Sequence, residues 1–440
     1  MDHSLPTAFV SRLERQFPDH AAQIIEAMHG VPRTAINYNT QKPTNQRIGE
    51  PLAWNPHGRF VDAEKQFALD PLWHAGAYYV MEPGSQSLAS MLSLLSLEEG
   101  AWRVLDLCAA PGGKTTVILN HLNDQSLLVS NEIHRQRSQI LLENSIKWGR
   151  SNHLVSNASP DDFTKSGASF DLIVIDAPCG GEGMFRKDHN ARTEWSEENV
   201  AMCAARQEDI LDAAKQLLAP DGVIIYSTCT LASAENDNQL KRLLDSGEFE
   251  LLEGWDQLSF AEAGALQTEC GWQFAPGLTE SEGLFISAIQ LKKGGKQERS
   301  AKERYQRWKG ENTWFDHLDA SHVFDVKGNP RFIEEDVLLT LEQLQGAKIP
   351  VLKAGIGLAR AKGKHLVPDH ELAMWSQQQK ESIELDVAAA LDYLRAQSGR
   401  AAYPKGWQLV SFEDVHLGWM KSVGDRWNNH YPEKWKLRLR

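Results

Sequence analysis

The sequence predicts an α/β protein built on a mainly parallel, Rossmann-like sheet with helices on both faces. Three observations predict it. Between about residues 74 and 293, short apolar runs alternate with helical segments, the pattern of parallel strands joined by crossover helices. The run Leu105-Asp106-Leu107-Cys108-Ala109-Ala110-Pro111-Gly112-Gly113-Lys114-Thr115 reads as strand, glycine-containing turn and helix start, which is how such sheets hold a nucleotide-like ligand. Two later runs, Leu172-Ile173-Val174-Ile175-Asp176-Ala177-Pro178-Cys179 and Tyr226-Ser227-Thr228-Cys229, each end a buried strand and place a cysteine just beyond it.

The elements follow in order. Residues 5–28 carry Phe9, Leu13, Phe17, Ile24, Ile25 and Met28 near helical spacing, with Gly30 and Pro32 as stop signals. From about 33 to 72, Pro43, Gly49, Pro51, Pro56, Gly58 and Pro71 break any long element into short strands and turns. Residues 1–72 are therefore expected to form a small N-terminal α+β module. Over 73–293 the pattern predicts strands near 103–108, 127–131, 153–157, 171–176, 222–227 and 284–291, the last joining as an antiparallel edge. Helices are expected near 113–122, 134–148, 196–218 and 233–244. The polar, Gly- and Lys-containing stretch 294–310 reads as a linker. Beyond it, Gly355, Gly357, Gly363, Gly406, Gly418 and Gly424 punctuate short apolar runs, and 311–440 is expected to form a separate C-terminal α+β/β region.

With 440 residues and 42% hydrophobic content, the chain can bury more than one core. The five cysteines, Cys108, Cys179, Cys203, Cys229 and Cys270, are widely spaced and free of Cys-x-x-Cys pairs, which excludes a disulfide framework and a zinc ribbon. A start lacking a secretory profile and the lack of a membrane-length apolar run point to a cytoplasmic protein with no membrane partner, expected as a monomer. A net charge of −13 excludes a protein that coats nucleic acid indiscriminately. Basic residues nevertheless cluster in the last third. One run holds Lys292, Lys293, Lys296, Arg299, Lys302, Arg304, Arg307 and Lys309; a second holds Lys353, Arg360, Lys362 and Lys364. A third holds Lys421, Arg426, Lys434, Lys436, Arg438 and Arg440. Each alone reads as solvated surface; three together, with Trp and Tyr interleaved, suggest RNA contact.

In the loop after the first strand, Gly112 and Gly113 let backbone approach a ligand while the helix start presents free amides. A Walker loop would need Gly or Ala where Cys108 stands, and no Gly-x-Gly-x-x-Gly occurs in the turn. What remains suits a cofactor without a pyrophosphate. Glu132, ending the second strand, is placed to accept from two ribose hydroxyls, the alternative being an acid that caps the next helix. S-adenosyl-L-methionine fits this better than a nucleotide phosphate.

The thiols suggest what such a cofactor would serve. Carbon 5 of cytosine is a poor nucleophile, so methylating it needs transient addition to carbon 6, for which a thiolate is suited. Asp176, protonated or proton-sharing, is the candidate donor to ring N3. A second thiol could assist release of the product. Methylases of exocyclic amines carry Asp/Asn-Pro-Pro-aromatic here, unlike Asp176-Ala177-Pro178-Cys179. Most cysteines are simply small apolar residues, the reading for Cys203 and the Cys108 thiol; position at strand ends sets Cys179 and Cys229 apart. No histidine lies at ligand spacing to either, so no metal is expected.

The motifs over 105–115, 176–187 and 227–237 resemble those of the RNA 5-methylcytosine methyltransferases of the Nop2/Sun family. Leu358-Ala359-Arg360-Ala361-Lys362-Gly363-Lys364, Leu417-Gly418-Trp419-Met420-Lys421 and Asn429-His430-Tyr431-Pro432 resemble the C-terminal RNA-binding region, with its PUA-like module, of the bacterial small-subunit rRNA branch of that family. The resemblance implies a class I methyltransferase sheet and a cytidine of 16S ribosomal RNA as substrate. It implies that Cys229 attacks carbon 6, Cys179 promotes release, Asp176 contacts the base and Lys114 orients groups in the active site. It further implies that Cys108, Ala109, Ala110, Pro111, Gly112, Gly113, Lys114 and Glu132 cradle the cofactor, with Asp176 beside them. The chain departs from the family in three places. Asn157-Ala158-Ser159 stands where an adenine-binding acid is common, leaving Asn157 or Ser159 to serve. Asn37 stands where many relatives have Arg, and Phe274-Ala275-Pro276-Gly277 lacks the usual His. Methylation of tRNA, or a non-enzymatic role in ribosome assembly, are the rival readings.

Overall fold

The computed structural model describes residues 4–42, 44, 47–62, 64–292, 304–310, 314–315, 317–363, 365–378 and 380–439. At its centre are six strands, labelled along the chain β1 (Arg103–Asp106), β2 (Leu127–Asn131), β3 (His153–Ser156), β4 (Phe170–Asp176), β5 (Leu218–Thr228) and β6 (Leu284–Leu291). Their spatial order is β6-β5-β4-β1-β2-β3. The first five run parallel and β6 pairs antiparallel with β5. The order reverses between β1 and β4, which opens a crevice beyond the carboxyl ends of these strands.

Alternation along each strand assigns its two faces. Leu105, Ile173, Ile175, Ile224 and Tyr226 enter one layer; Val104, Leu172, Val174, Val223 and Ile225 enter the other. Four helices follow the strands: α1 (Gly113–His121), α2 (Arg135–Trp148), α3 (Glu197–Lys215) and α4 (Asp237–Asp245). Local signals set their ends. The Ser196 side chain accepts from Asn199 N at the start of α3, with Glu197 and Glu198 in the first turn. Gly149, at φ 79°, ends α2.

The structure differs from the sequence expectation at both edges of the sheet. β6 is antiparallel as expected but is not the edge. Trp272–Phe274 pairs beyond it and Leu266–Gln267 beyond that, while Phe249–Leu251 also pairs with β6. The buried side chains on both faces of β6 are those of an interior strand. At the far edge, Val351–Ala354 pairs antiparallel with β3. Helix Glu335–Gly346 packs Val337, Leu341 and Leu344 into the same layer as Ile210 and Leu211 of α3. Part of the region beyond residue 311 thus completes the central sheet and its cover.

The N-terminal segment is two helices, Thr7–Gln16 and Ala21–Ala27, because Pro18 cannot continue the first. They bury Phe9, Leu13, Ile24 and Met28 against Phe185, Trp195 and Leu231. A four-stranded antiparallel sheet follows, in the order Glu50–Leu52, Asn55–Val61, Thr34–Tyr38, Tyr78–Met81. Asn37 is fully buried there, donating to Thr116 Oγ1 at 3.1 Å and accepting from Asn55 Nδ2 at 3.1 Å. It joins this sheet to α1.

Of the expected linker, residues 294–303 lie outside the described residues; Gln306–Arg307 pairs with Val323–Val326. A last sheet runs Ser382–Glu384, Gly406–Phe412, Val415–Ser422, Trp427–Asn429. Among the described residues, no helix is long and apolar enough to cross a membrane.

Candidate active site

The loop after β1 is held from three sides. Gly112 takes φ 113°, a conformation only glycine adopts without strain, and α1 begins at the next residue. A Cβ there would come within 3.3 Å of Leu141 Cδ1, so α2 packs where a side chain would stand. Asn131 O accepts from Ala109 N at 2.8 Å, Arg137 Nη2 donates to Ala110 O at 2.6 Å, and Asn144 Nδ2 donates to Pro111 O at 2.8 Å. Thr115 Oγ1 donates to Asp106 Oδ2 at 2.6 Å. The other Asp106 oxygen is buried without a partner, and burial pushes this carboxyl up to about 7.

Beside this loop lies a cleft of about 570 Å³. Of the residues expected from sequence, Cys108, Ala110, Glu132, Asp176, Cys179 and Cys229 line it. Ala109, Pro111, Gly112, Gly113, Lys114 and Asn157 do not. Glu132 lines the cleft and also caps the next helix. One oxygen accepts from His134 N, at the α2 cap, at 2.7 Å, and the other lies 3.5 Å from the Arg137 guanidinium. The Asn157 amide donates to the carbonyls of Glu132 at 2.5 Å and Ile133 at 2.9 Å, so it braces backbone. Ser159 lines the cleft, and so does Asp161, an acid the sequence reading passed over. The N-cap pattern Ser159-Pro160-Asp161 was the available signal: it starts a short helix and sets the acid on its first turn.

β4 and β5 are neighbours in register, Asp176 opposite Ser227, so their terminal loops meet. The sulfurs of Cys179 and Cys229 are 3.1 Å apart. The Cys179 thiol is pushed well up by its hydrogen bond with Cys229, by burial and by the charge of Glu235. Asp176 accepts from Lys114 Nζ at 2.8 Å and from Ser227 Oγ at 3.1 Å through the same oxygen. Burial, the largest single influence, opposes charge on Lys114, but Asp176, Cys229 and Glu82 together make the net shift upward. The Lys114 ammonium also interacts electrostatically with Cys229.

Two buried acids in these loops were missed from sequence. Glu182 accepts from Arg12 Nη2 at 2.6 Å, Trp195 Nε1 at 2.9 Å and Leu231 N at 2.9 Å. It thereby joins the Cys179 loop, the Cys229 loop and the first helix, and Gly183 N adds a bond to Cys229 O at 2.9 Å. Glu235 accepts from Gly180 N and from Gln207 Nε2, both at 2.9 Å, and burial raises its carboxyl to about 7. Their signal was an acid among small residues just past each thiol.

The basic runs resolve unevenly. Lys293, Lys296, Arg299, Lys302, Lys364 and Arg440 lie outside the described residues. Lys353 is no surface cation: it is buried and donates to the carbonyls of Arg150, His153 and Gly355. Arg360 pairs with Asp369 at 3.0 Å. Lys362 and Lys421 are exposed, the latter 5.3 Å from the Trp407 ring centre.

Comparison with known proteins covers this whole arrangement. A family model described as 16S rRNA methyltransferase RsmB/F matches residues 92–290. Models of the N-terminal domain of 16S rRNA methyltransferase RsmF and of the methyltransferase RsmF PUA domain match 5–83 and 380–437. A Shewanella loihica protein named ribosomal RNA small subunit methyltransferase F is 30% identical, over 96% of this chain and 94% of its own. A Vibrio vulnificus protein of the same name is 32% identical, over 87% and 85%. The crystal structure of a methyltransferase homolog protein from Pyrococcus horikoshii superposes with a TM-score of 0.55 at 20% identity, over 66% of this chain and 96% of that one, a likeness of fold.

Proposed function

The chain belongs to the ribosomal RNA small subunit methyltransferase F family, and on that premise we propose that it methylates carbon 5 of a cytidine in 16S ribosomal RNA through a covalent adduct with Cys229. S-adenosylmethionine is the cofactor and supplies the methyl group. The cleft suits it. Its volume of about 570 Å³ accommodates a nucleoside with a short tail. Glu132 and Asp161 offer carboxylates for ribose and adenine hydrogen bonds, and Ile133, Pro160 and Ile210 offer apolar wall. The backbone of the Cys108 to Gly113 loop closes the other side.

The observation that carries the proposal is the pair of sulfurs 3.1 Å apart at the mouth of that cleft, beside an ion pair of Lys114 and Asp176. One sulfur can bond carbon 6 while the other remains free for proton transfer. Cys229 is assigned the attack, with Lys114 contributing positive charge near the sulfur. Asp176 faces the Watson–Crick edge of the base. Its oxygen accepts from Lys114, so the proton needed at N3 is one that Asp176 shares with the ammonium. After methyl transfer, Cys179 in its thiolate form accepts the C5 proton; the C–H electron pair rebuilds the C5–C6 double bond, Cys229 leaves as thiolate, and N3 returns its proton to the Asp176–Lys114 pair. A cytidine stacked in helical RNA must be flipped out to expose carbon 6.

The test compares wild type, Cys229→Ser and Cys179→Ser on 16S rRNA with the cofactor, following 5-methylcytidine by nucleoside mass spectrometry and adducts by denaturing gel. Cys229→Ser should give neither product nor adduct, and Cys179→Ser should accumulate a protein–RNA adduct. The reverse pattern would exchange the two assignments; 5-methylcytidine formed in the absence of both thiols would reject the mechanism.

A further inference from the structure

Glu235 stands on the Cys229 side of the site but reaches across to the Cys179 side. Its Oε2 accepts from Gly180 N, next in the chain to Cys179, and from Gln207 Nε2, both at 2.9 Å. The same Gln207 nitrogen donates to Pro178 O at 3.0 Å. The residues before and after Cys179 are thus both tied to one Glu235–Gln207 unit. The other carboxyl oxygen, Oε1, is buried without a hydrogen-bond partner. A Cβ on Gly180 would lie 2.9 Å from it, so glycine at this position is what lets the carboxyl come up against the thiol loop.

The charged and titratable groups around Glu235 come from every neighbouring element. Glu182 raises its proton affinity; Arg12 opposes this but is itself bonded to Glu182 at 2.6 Å. Glu235 in turn acts on Cys179, Cys203 and Tyr226, each of which holds its proton more tightly when Glu235 is charged. Glu235 is fully buried, so it does not touch RNA or cofactor itself.

We propose that Glu235 is a positioning residue for Cys179: it holds the 178–180 segment so that the two sulfurs meet, and its charge state governs when Cys179 gives up a proton. The inference rests on the reading of Cys179 as the release thiol. With Glu235 neutral, thiolate forms more easily at Cys179; with Glu235 charged, the sulfur keeps its proton longer. The enzyme then couples release to the protonation of an acid that never meets the substrate.

The experiment measures iodoacetamide alkylation of Cys179, resolved by peptide mass spectrometry, on the full-length protein and on Glu235→Gln from about pH 6 to about pH 9. Gln keeps the shape and one acceptor but carries no charge. Cys179 in Glu235→Gln should react roughly three- to tenfold faster near pH 8, and an inflection near pH 7 present in wild type should be absent. A side chain that only fills space would move neither. If Glu235→Gln does not fold, Gln207→Met replaces it: losing a donor makes Glu235 easier to protonate, and Cys179 should speed up by a smaller factor. Equal or slower alkylation in the folded variant, with an unchanged pH curve, overturns the inference. Faster alkylation together with no adduct in Cys179→Ser would keep the control of the Cys179 thiol by Glu235 but reject the release role of Cys179 and with it the coupling to release.

Discussion

Lys114 and Asp176 show how residue-scale chemistry in this site depends on who pairs with whom. An aspartate ending a parallel strand and a lysine on the first turn of α1 are unremarkable in isolation. Held 2.8 Å apart at the cleft, with Lys114 buried, they form the ion pair that the proposed mechanism uses to present charge and a shared proton to the base. Lys114→Met removes the cation and leaves Asp176 with only Ser227. Single-turnover methylation should fall by about 10²- to 10³-fold, the usual consequence of losing one preorganised charge donor. A variant within threefold of wild type would remove Lys114 from the mechanism. The two thiols were legible at this scale because a cysteine directly after a buried strand in an α/β sheet stands over the crevice. Asp161 was not, since a proline-started helix turn shifts the acid away from the strand end where it was sought.

At the scale of elements, the two thiol loops and the first helix form one joint. Glu182 has no exposed side-chain surface and receives three donors, one of them the Arg12 guanidinium. Removing one partner of a buried ion pair strands the other. Glu182→Ala should therefore destabilise the fold by about 3–5 kcal/mol, measured by urea denaturation, with Glu182→Gln losing less because it still accepts hydrogen bonds. A loss below about 1 kcal/mol would show that the joint is not cooperative. The sequence indicated a helix around Phe9 and Leu13, but not that it packs on the two thiol loops. Its apolar stripe would serve equally against any partner.

At the scale of the whole molecule, two buried amines, Lys42 and Lys353, fasten parts together through carbonyls rather than through acids. Lys42 donates to Ala75 O at 2.9 Å and Lys147 O at 2.7 Å, joining the N-terminal sheet to the end of α2. Burial pushes its ammonium down to about 7, and burial likewise brings Lys353 down to about 8. In the unfolded chain a lysine titrates near 10.4. Between about pH 7 and that value the unfolded state binds more protons, so Lys42 adds stability as pH rises, by up to about 1.4 kcal/mol per pH unit. The stability difference between wild type and Lys42→Met should thus shift in favour of wild type between about pH 7 and about pH 9.5. A difference flat with pH would show that Lys42 stays charged in the fold.

The sequence by itself determined the parallel sheet, the glycine turn after its first strand and the two strand-end thiols. Each depends on local signals: apolar runs of strand length, glycines that permit one turn, and cysteines set beside them. Only the tertiary structure decided that Val351–Ala354 and helix Glu335–Gly346 complete the central layer, that β6 is interior, that Lys353 is buried, and that Glu182 and Glu235 brace the thiols. These facts depend on which distant surfaces meet. A short apolar strand, a lysine or a glutamate reads the same in the chain whether it ends in solvent or in a core.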